Sequence, residues 1–550
     1  MDWQQSYFLF RQGAVLSAVL ASLPILVVLV MLGALRRPAW IAGLSGLAVS
    51  LLVALWFYGM PVSLAVSSLT YGAAFGLFPI SWIIFWAIVL FRITTVTGKF
   101  DIIRESIGRL TKDAPSQALL IAFALGAFIE GAAGFGTPVA IAAAMLSGLG
   151  FSPFRASAIC LLANTAPVAF GSIGTPLITL AATTGLPLGE LSSAVAAICA
   201  PVALIVPAYM IFAMGGVRTL RAAVIPASVT GIIFAVTQYV VATYAGPHLT
   251  DILASIVAMI ALFLICRFRR SEPMSPELEA AFRGSSEAVA PAADGSDPYV
   301  QSVREVVVAW MPYASLVFFV LLWGVKPVQR LLALGTFSFA WPLLHDHVLR
   351  IAPITSSPQP YHATFALNLL SASGTSCMSA ALCSATFLRV PPGMLLRLLG
   401  DVGRQLLLPI TTVVSVLAMA FLMNYSGATA TLGLAFSSTG EMFPFFSAML
   451  GWMGVFLTGS DTSSNALFGN LQVVTAERLH LSPVLMAAAN SSGGVVGKMI
   501  SLQTIAVAAA ATGMSTSGQA KLFRFTLKHS LLLGALVGGI ALLYSHYLHF

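Results

Sequence analysis

The stretch from Gly126 to Pro176 constrains this chain more than any other: GAFIEGAAGFGTPVAIAAAMLSGLGFSPFRASAICLLANTAPVAFGSIGTP. It is apolar enough to lie in a bilayer, yet it breaks the pattern of a plain membrane rod. Gly131, Gly134 and Gly136 crowd together, Gly171 and Gly174 follow, and Pro138, Pro153, Pro167 and Pro176 interrupt the run. One carboxylate, Glu130, stands inside it. Broken backbone at membrane depth persists only where it is buried in protein or lines a cavity. Carriers build binding sites near the midplane from such segments.

The totals agree with a membrane setting. Hydrophobic residues make up 58% and charged residues 8%, against about 25% charged in a soluble domain. With 550 residues, the reading is an all-α integral membrane protein with about 12 to 14 membrane segments, broken and re-entrant helices included. The net charge of +8 points to cytoplasmic loops, where Lys and Arg collect, and not to nucleic acid. Cys160, Cys199, Cys266, Cys377 and Cys383 lie in apolar runs without CxxC spacing, so they read as small buried residues.

Basic residues orient the spans. A first span, Ala14 to Leu35, ends at Arg36-Arg37; later basic groups at Lys99–Lys112, Arg218/Arg221, Arg267–Arg270, Arg389–Arg404 and Lys521–Lys528 mark the same, cytoplasmic side. A span is also expected around Phe365 to Phe387. Residues 268–304 are polar and show no helical period, so they read as a cytoplasmic linker. It separates an N-terminal half, 1–267, from a C-terminal half, 305–550. The halves look repeated: GAFIEG, LGFSP and Asn164 in the first are matched by GVFLTG (454–459), LHLSP (479–483) and Asn490 in the second. Sequence does not say whether the repeat is inverted.

Glu130 and Asp461 are the carboxylates hardest to explain as loop residues. Each costs about 2.5–3.5 kcal/mol at bilayer depth, so each needs a partner or a proton. The functional reading is a protonatable coupling site; for Asp461, an ordinary helix cap fits as well. Lys498, in SSGGVVGKMIS, is placed to meet a substrate carboxylate or one of these acids, unless it snorkels at a span end. Met499 after the lysine breaks the phosphate-loop pattern, so nothing points to ATP. The polar set Asn164, Thr165, Ser172, Thr175, Asn424, Ser426, Ser463, Ser464, Asn465, Asn490 and Gln503 lies beside Gly and Pro breaks. Singly, these residues suit helix packing. Together they suit a small hydroxy acid, which needs backbone N–H groups at half-helix starts and a group for its own hydroxyl. His345 and His347 lack Cys or Glu partners, so no metal and no cofactor is expected. No nucleophile or acid/base set suggests a membrane enzyme.

EGAAGFGTPVAI (130–141), NTAPVAFGSIGTP (164–176), NYSG (424–427), GSDTSSNALFGNLQ (459–472) and GKMIS (497–501), with FDIIRESI (100–107) and LFRFTLKHS (522–530), resemble the L-lactate permease family of bacterial inner-membrane transporters. The resemblance runs nearly end to end. It implies uptake of lactate with a proton, glycolate and the D-isomer being taken by members, and paired re-entrant hairpins that move the substrate. Many members have Ala where this chain has Thr137, which argues against an essential role there. The expected partners are a small 2-hydroxy monocarboxylate, a proton and the lipid bilayer; a homodimer stays open. The alternative is a sodium-coupled dicarboxylate or organic-anion carrier.

Overall fold

The computed structural model describes residues 3–9, 14–108, 110–111, 113–134, 137–268, 275–284, 302–355 and 357–547. The apolar runs are helices because a chain in hydrocarbon has to satisfy its backbone N–H and C=O groups internally. Among the described residues, ten helices are long and apolar enough to cross a membrane. Two bent pairs, Pro153–Ala163 with Val168–Thr184 (67°) and Pro483–Ile500 with Leu502–Thr512 (41°), raise the count to as many as 12. The 57-residue helix Leu188–Tyr244 is itself a hairpin, broken at Gly216 (φ 70°). Its arms fold back together: Ser192 Oγ donates to the Ala242 carbonyl at 2.7 Å, and Gly231 sits against the carbonyl of Leu204.

The two expected halves interlock. Ala39–Trp56 and Val62–Phe75 pack along Pro392–Ser426, while Pro153–Ala163 packs on Leu502–Thr512. The expected span around Phe365 to Phe387 is replaced by two elements. Thr364–Leu367 is a strand paired with Phe337–Ala340, and a 15-residue helix, Ser373–Phe387, follows. The apolar run misled because Phe365 is buried by a cluster of rings, Phe75, Phe339 and Trp341, rather than by lipid. The 268–304 segment also contains a helix, Pro276–Arg283. Its Ser-Pro start is an ordinary cap, and two turns are too few to show a period. It docks on the first half: Phe282 meets Phe151 at 6.0 Å, and Arg283 Nη2 donates to Gln117 Oε1 at 3.1 Å.

On the side away from the arginine groups, short strands form a cap. Trp3–Gln4 runs parallel to Val348–Arg350, which pairs with Gln359–Pro360. Gln5 Nε2 donates to the carbonyls of Asn424 and Tyr425, both at 2.9 Å. Helix Pro392–Ser426 ends there at Gly427, so the glutamine supplies donors that its last carbonyls lack.

Each half contains the same series. A helix reaches a glycine of positive φ (Gly134, 62°; Gly459, 72°), and a return helix follows (Thr137–Gly148; Asp461–Leu479). A left-handed residue (Gly150, Gly of φ 88°; His480, φ 56°) turns the chain. Ser152-Pro153 or Ser482-Pro483 then starts the next helix, the serine accepting from Arg155 or Leu485 N–H. That helix closes in a 3-10 turn (Val168–Phe170; Lys498–Ile500), passes one extended residue (Gly171; Ser501), and a further helix begins. The first hairpin rises from the cytoplasmic side and its tip nears the outer loop, where Gly131 touches Asp251 and Ile252. The second descends from the outer side, and its neighbour Leu457 touches Gly33 near the Arg36-Arg37 end of the first span. The repeat is therefore inverted, the arrangement many carriers use.

Candidate functional site

A cavity of about 400 Å³ lies where the two series meet. Glu130, Gly171, Ser172 and Pro176 line it from the first series; Thr458 to Ser463, Lys498, Gln503 and Thr504 line it from the second. Its remaining wall includes Leu32, Ala39, Trp40 and Gln405, which flank Arg36, Arg37 and Arg404. The mouth therefore faces the cytoplasm, and the first hairpin forms the floor.

Lys498 opens the second 3-10 turn, and Glu130 lies near the end of helix Gly126–Ala132. Lys498 Nζ donates to Glu130 Oε1 at 2.6 Å, with side chains 9% and 3% exposed. A Cβ at Gly171 would lie 2.7 Å from that oxygen, so the first break has room for the pair only as glycine. Glu130 Oε2 has no hydrogen-bond partner among the described residues. The ion pair thus joins the breaks of both repeats, with one acceptor oxygen left over.

Three helices begin at the cavity: Asp461–Leu479, Leu502–Thr512, and the part of Gly171–Thr184 that is helical beyond Gly174. First-turn N–H groups lack intrahelical acceptors and favour an anion. Ser460 and Ser501 cap the N–H of Ser463 and Thr504, which leaves earlier N–H groups of those turns to meet a carboxylate beside Lys498. Ser463 and Gln503 border the same space and can serve a hydroxyl.

Asp461 heads a polar network behind the wall. Its Oδ2 accepts from Ser491 Oγ at 2.8 Å and from Asn465 Nδ2 at 3.3 Å. Asn465 Nδ2 also donates to the Pro176 carbonyl at 3.2 Å, which ties the two repeats together. Asn490 Nδ2 donates to Asn465 Oδ1 at 3.0 Å, and Gln472 Nε2 donates to Asn490 Oδ1 at 3.1 Å. Asn465 and Asn490 therefore fix the helix that carries Asp461 and do not border the cavity.

The other candidates are spread out. Thr165 and Thr175 donate to nearby carbonyls, Leu162 and Ser172, each at 2.6 Å. Ser426 donates to Met423 O and Ser464 to Gly451 O. Asn424 lies by the outer cap, where its Oδ1 accepts from Thr429 at 2.8 Å. Asn164 ends helix Pro153–Ala163 with its Oδ1 buried and unpartnered among the described residues. Gly174 packs on Pro247 of the outer loop. Gly136 lies outside the described residues. Sequence reasoning passed over Thr462 and Thr504, although both stand in first turns beside residues it chose.

The floor is held shut by a strained turn. Ser172, Ile173 and Gly174 have φ of 47°, 57° and 76°, a left-handed run costly for non-glycine residues and worst for a β-branched one. Ser172 Oγ donates to the Ala133 carbonyl at 3.0 Å. At the hairpin tip, a Cβ on Gly134 would overlap that hydroxyl at 2.0 Å. Ser172→Ala removes the donor this buried carbonyl has among the described residues, a loss of about 1–3 kcal/mol in the closed floor. The expected result is faster labelling of a cysteine placed at Ala133 by an impermeant maleimide applied outside. Labelling at the unsubstituted rate would deny the bond a gating role.

The L-lactate permease family profile matches residues 17–548. Glycolate permease GlcA of Escherichia coli K12 is 42% identical over 555 residues, covering 99% of this chain and 98% of the relative. L-lactate permease of Bacillus subtilis is 41% identical over 567 residues, covering 99% of each. L-lactate permease of Escherichia coli K12 is 41% identical over 553 residues, covering 99% of this chain and 98% of the relative. With agreement along almost the whole length of both, this multi-pass membrane protein belongs to the L-lactate permease family.

Proposed function

We propose that this protein takes up lactate, and also glycolate, together with a proton across the bacterial inner membrane. The observation that carries the reading is the buried Lys498–Glu130 bond at the inner end of an inward-facing cavity. A substrate carboxylate and the Glu130 carboxylate compete for one ammonium. Protonation of Glu130 releases Lys498, and the substrate anion takes its place, so the charge around Lys498 stays balanced with substrate bound or absent. Unbalanced charge in this setting is strongly disfavoured. Each ligand thus raises the affinity of the other, the reciprocity that symport needs. The hydroxyl common to lactate and glycolate is met by Ser463 or Gln503, and either repeat can close over the cargo by its own hairpin.

The test uses the purified protein in liposomes. A pH gradient, acid outside, is expected to drive labelled lactate uphill, whereas a sodium gradient at equal pH drives none. Glu130→Gln should lose the uphill phase and keep counterflow exchange, since Lys498 is then permanently released. Uphill accumulation at the unsubstituted level in that variant would remove Glu130 from coupling. Accumulation driven by sodium alone would favour the sodium-coupled carrier instead.

A further inference from the structure

Among the described residues, the buried Asp, Glu, Lys and Arg residues are Glu130, Asp251, Asp461 and Lys498. Three of these border the cavity. Asp251 does not, and the mechanism above leaves it unused. It is 1% exposed and lies in the first turn of helix Thr250–Phe268. That turn is the outer end of the helix, because Arg267 marks the other. Asp251 therefore sits on the far side of the floor from the cavity. It is close to the ion pair through Gly131, the neighbour of Glu130, where a Cβ would come 2.9 Å from the Cβ of Asp251.

Its bonding is incomplete in a specific way. Asp251 Oδ1 accepts a long bond, 3.4 Å, from Gln238 Nε2, which also donates to the Ala166 carbonyl at 3.0 Å. Asp251 Oδ2 and Gln238 Oε1 are both buried, and neither has a partner among the described residues. The carboxylate therefore buries one oxygen that no described group donates to, while its other oxygen has a single long bond. A proton on Asp251 Oδ2 removes that bare, buried acceptor. The ionisable groups facing Asp251 are Glu130, Lys498 and the Cys199 thiol, with His248 in the turn before it. The one cation among these with a fixed charge is already bonded to Glu130. A bare carboxylate here has no counter-ion of its own.

We infer that Asp251 is a second proton-holding carboxylate of this carrier, loaded from the outer side when the first hairpin opens and unloaded onto Glu130. The inference rests on the symport reading above. In the transfer, the O–H bond at Asp251 Oδ2 breaks and one forms at Glu130 Oε2, the oxygen without a partner. Asp251 is left as an anion until outer water reprotonates it, Lys498 is released, and no other bond changes.

Asp251→Asn in the full-length chain keeps the size of the side chain and an oxygen for Gln238, but it carries no exchangeable acid. In liposomes it is expected to lower pH-driven lactate accumulation at least tenfold, to keep counterflow, and to lose the dependence of uptake on outer pH. Glu130→Gln and the unsubstituted protein run alongside. Asp251→Asn accumulation equal to the unsubstituted protein, with the same outer-pH dependence, overturns the inference. If Glu130→Gln is inactive in uphill uptake in that same series, the symport reading survives it. Failure of the unsubstituted protein to accumulate lactate under a pH gradient sinks the symport reading itself. Should Asp251→Asn not fold, Asp251→Glu decides: uphill uptake with a displaced outer-pH dependence supports the inference, and uptake with the unsubstituted dependence overturns it.

Discussion

Replacing Lys498 with Met is expected to cut lactate uptake by two orders of magnitude or more and to destabilise the protein as well. Among the described residues the ammonium has one partner, Glu130 Oε1 at 2.6 Å, inside a site where both side chains are nearly sealed from solvent. Removing one member of such a pair leaves a buried charge uncompensated, at a cost of about 3–5 kcal/mol. The Glu130 carboxylate then either takes a proton permanently or destabilises the fold. In either state the anion has lost its main attraction, leaving only the helix starts. The double variant K498M/E130Q separates the two roles. Its melting temperature in detergent should return close to that of the parent, while uptake stays absent. A single K498M variant with normal uptake would show that the substrate carboxylate is held elsewhere.

The second large effect is expected at Gly493. Helices Phe443–Thr458 and Pro483–Gly497 run backbone against backbone. A Cβ at Gly493 would lie 1.9 Å from the Ala448 carbonyl, at Gly451 1.7 Å from the Asn490 carbonyl, and at Gly497 2.2 Å from that of Trp452. Small residues let membrane helices approach this closely, and dispersion over the contact holds them there. Ser447 Oγ adds a bond to the Met486 carbonyl at 2.8 Å. Gly493→Val cannot be absorbed by turning a side chain, because the obstacle is backbone. The helices must separate, at about 3 kcal/mol or more, and Lys498 moves with them. Loss of folded protein is expected in a detergent melt, whereas Gly539→Val, with nothing within 4 Å of its Cβ position, should be neutral. Equal melting of both variants would refute the packing account.

These cases show why part of the molecule was readable in advance. A Gly-rich, Pro-interrupted apolar run containing Glu130 violates what hydrocarbon permits, so its role as cavity wall follows from local chemistry. The repeat was legible because both halves need the same Ser-Pro starts; its finer pairing was not, since the first tip is Gly134 rather than Gly131, and Asn164 ends its helix while Asn490 lies within its own. Asp251 was not legible. It follows Gly246-Pro247-His248, reads as part of a loop, and opens a helix where an acid is ordinary. Only the distant Gly131 contact reveals its burial. Asn424 and Ser426 look like Ser463 and Gln503 in sequence, yet the former meet the outer cap and the latter the cavity. That difference arises because Pro392–Ser426 ends at Gly427 against Gln5 of the distant amino-terminal strand region, a contact no local pattern encodes. The Phe365 strand was read as a span for a similar reason: rings brought from elsewhere hide it as lipid would.

The strand Trp3–Gln4 sets an order of assembly. Its neighbour Gln5 is made long before Asn424, to whose carbonyl it bonds across a sequence separation of 419. Thr431 then fastens to the Tyr7 carbonyl at 3.0 Å. Until translation has passed that point, the strand can pair with Val348–Arg350 but lacks the carbonyls and hydroxyl that fasten Gln5 and Tyr7. Chains stalled short of Asn424 should leave it open to protease, and completed chains should hide it. A strand made early is thus sewn in late.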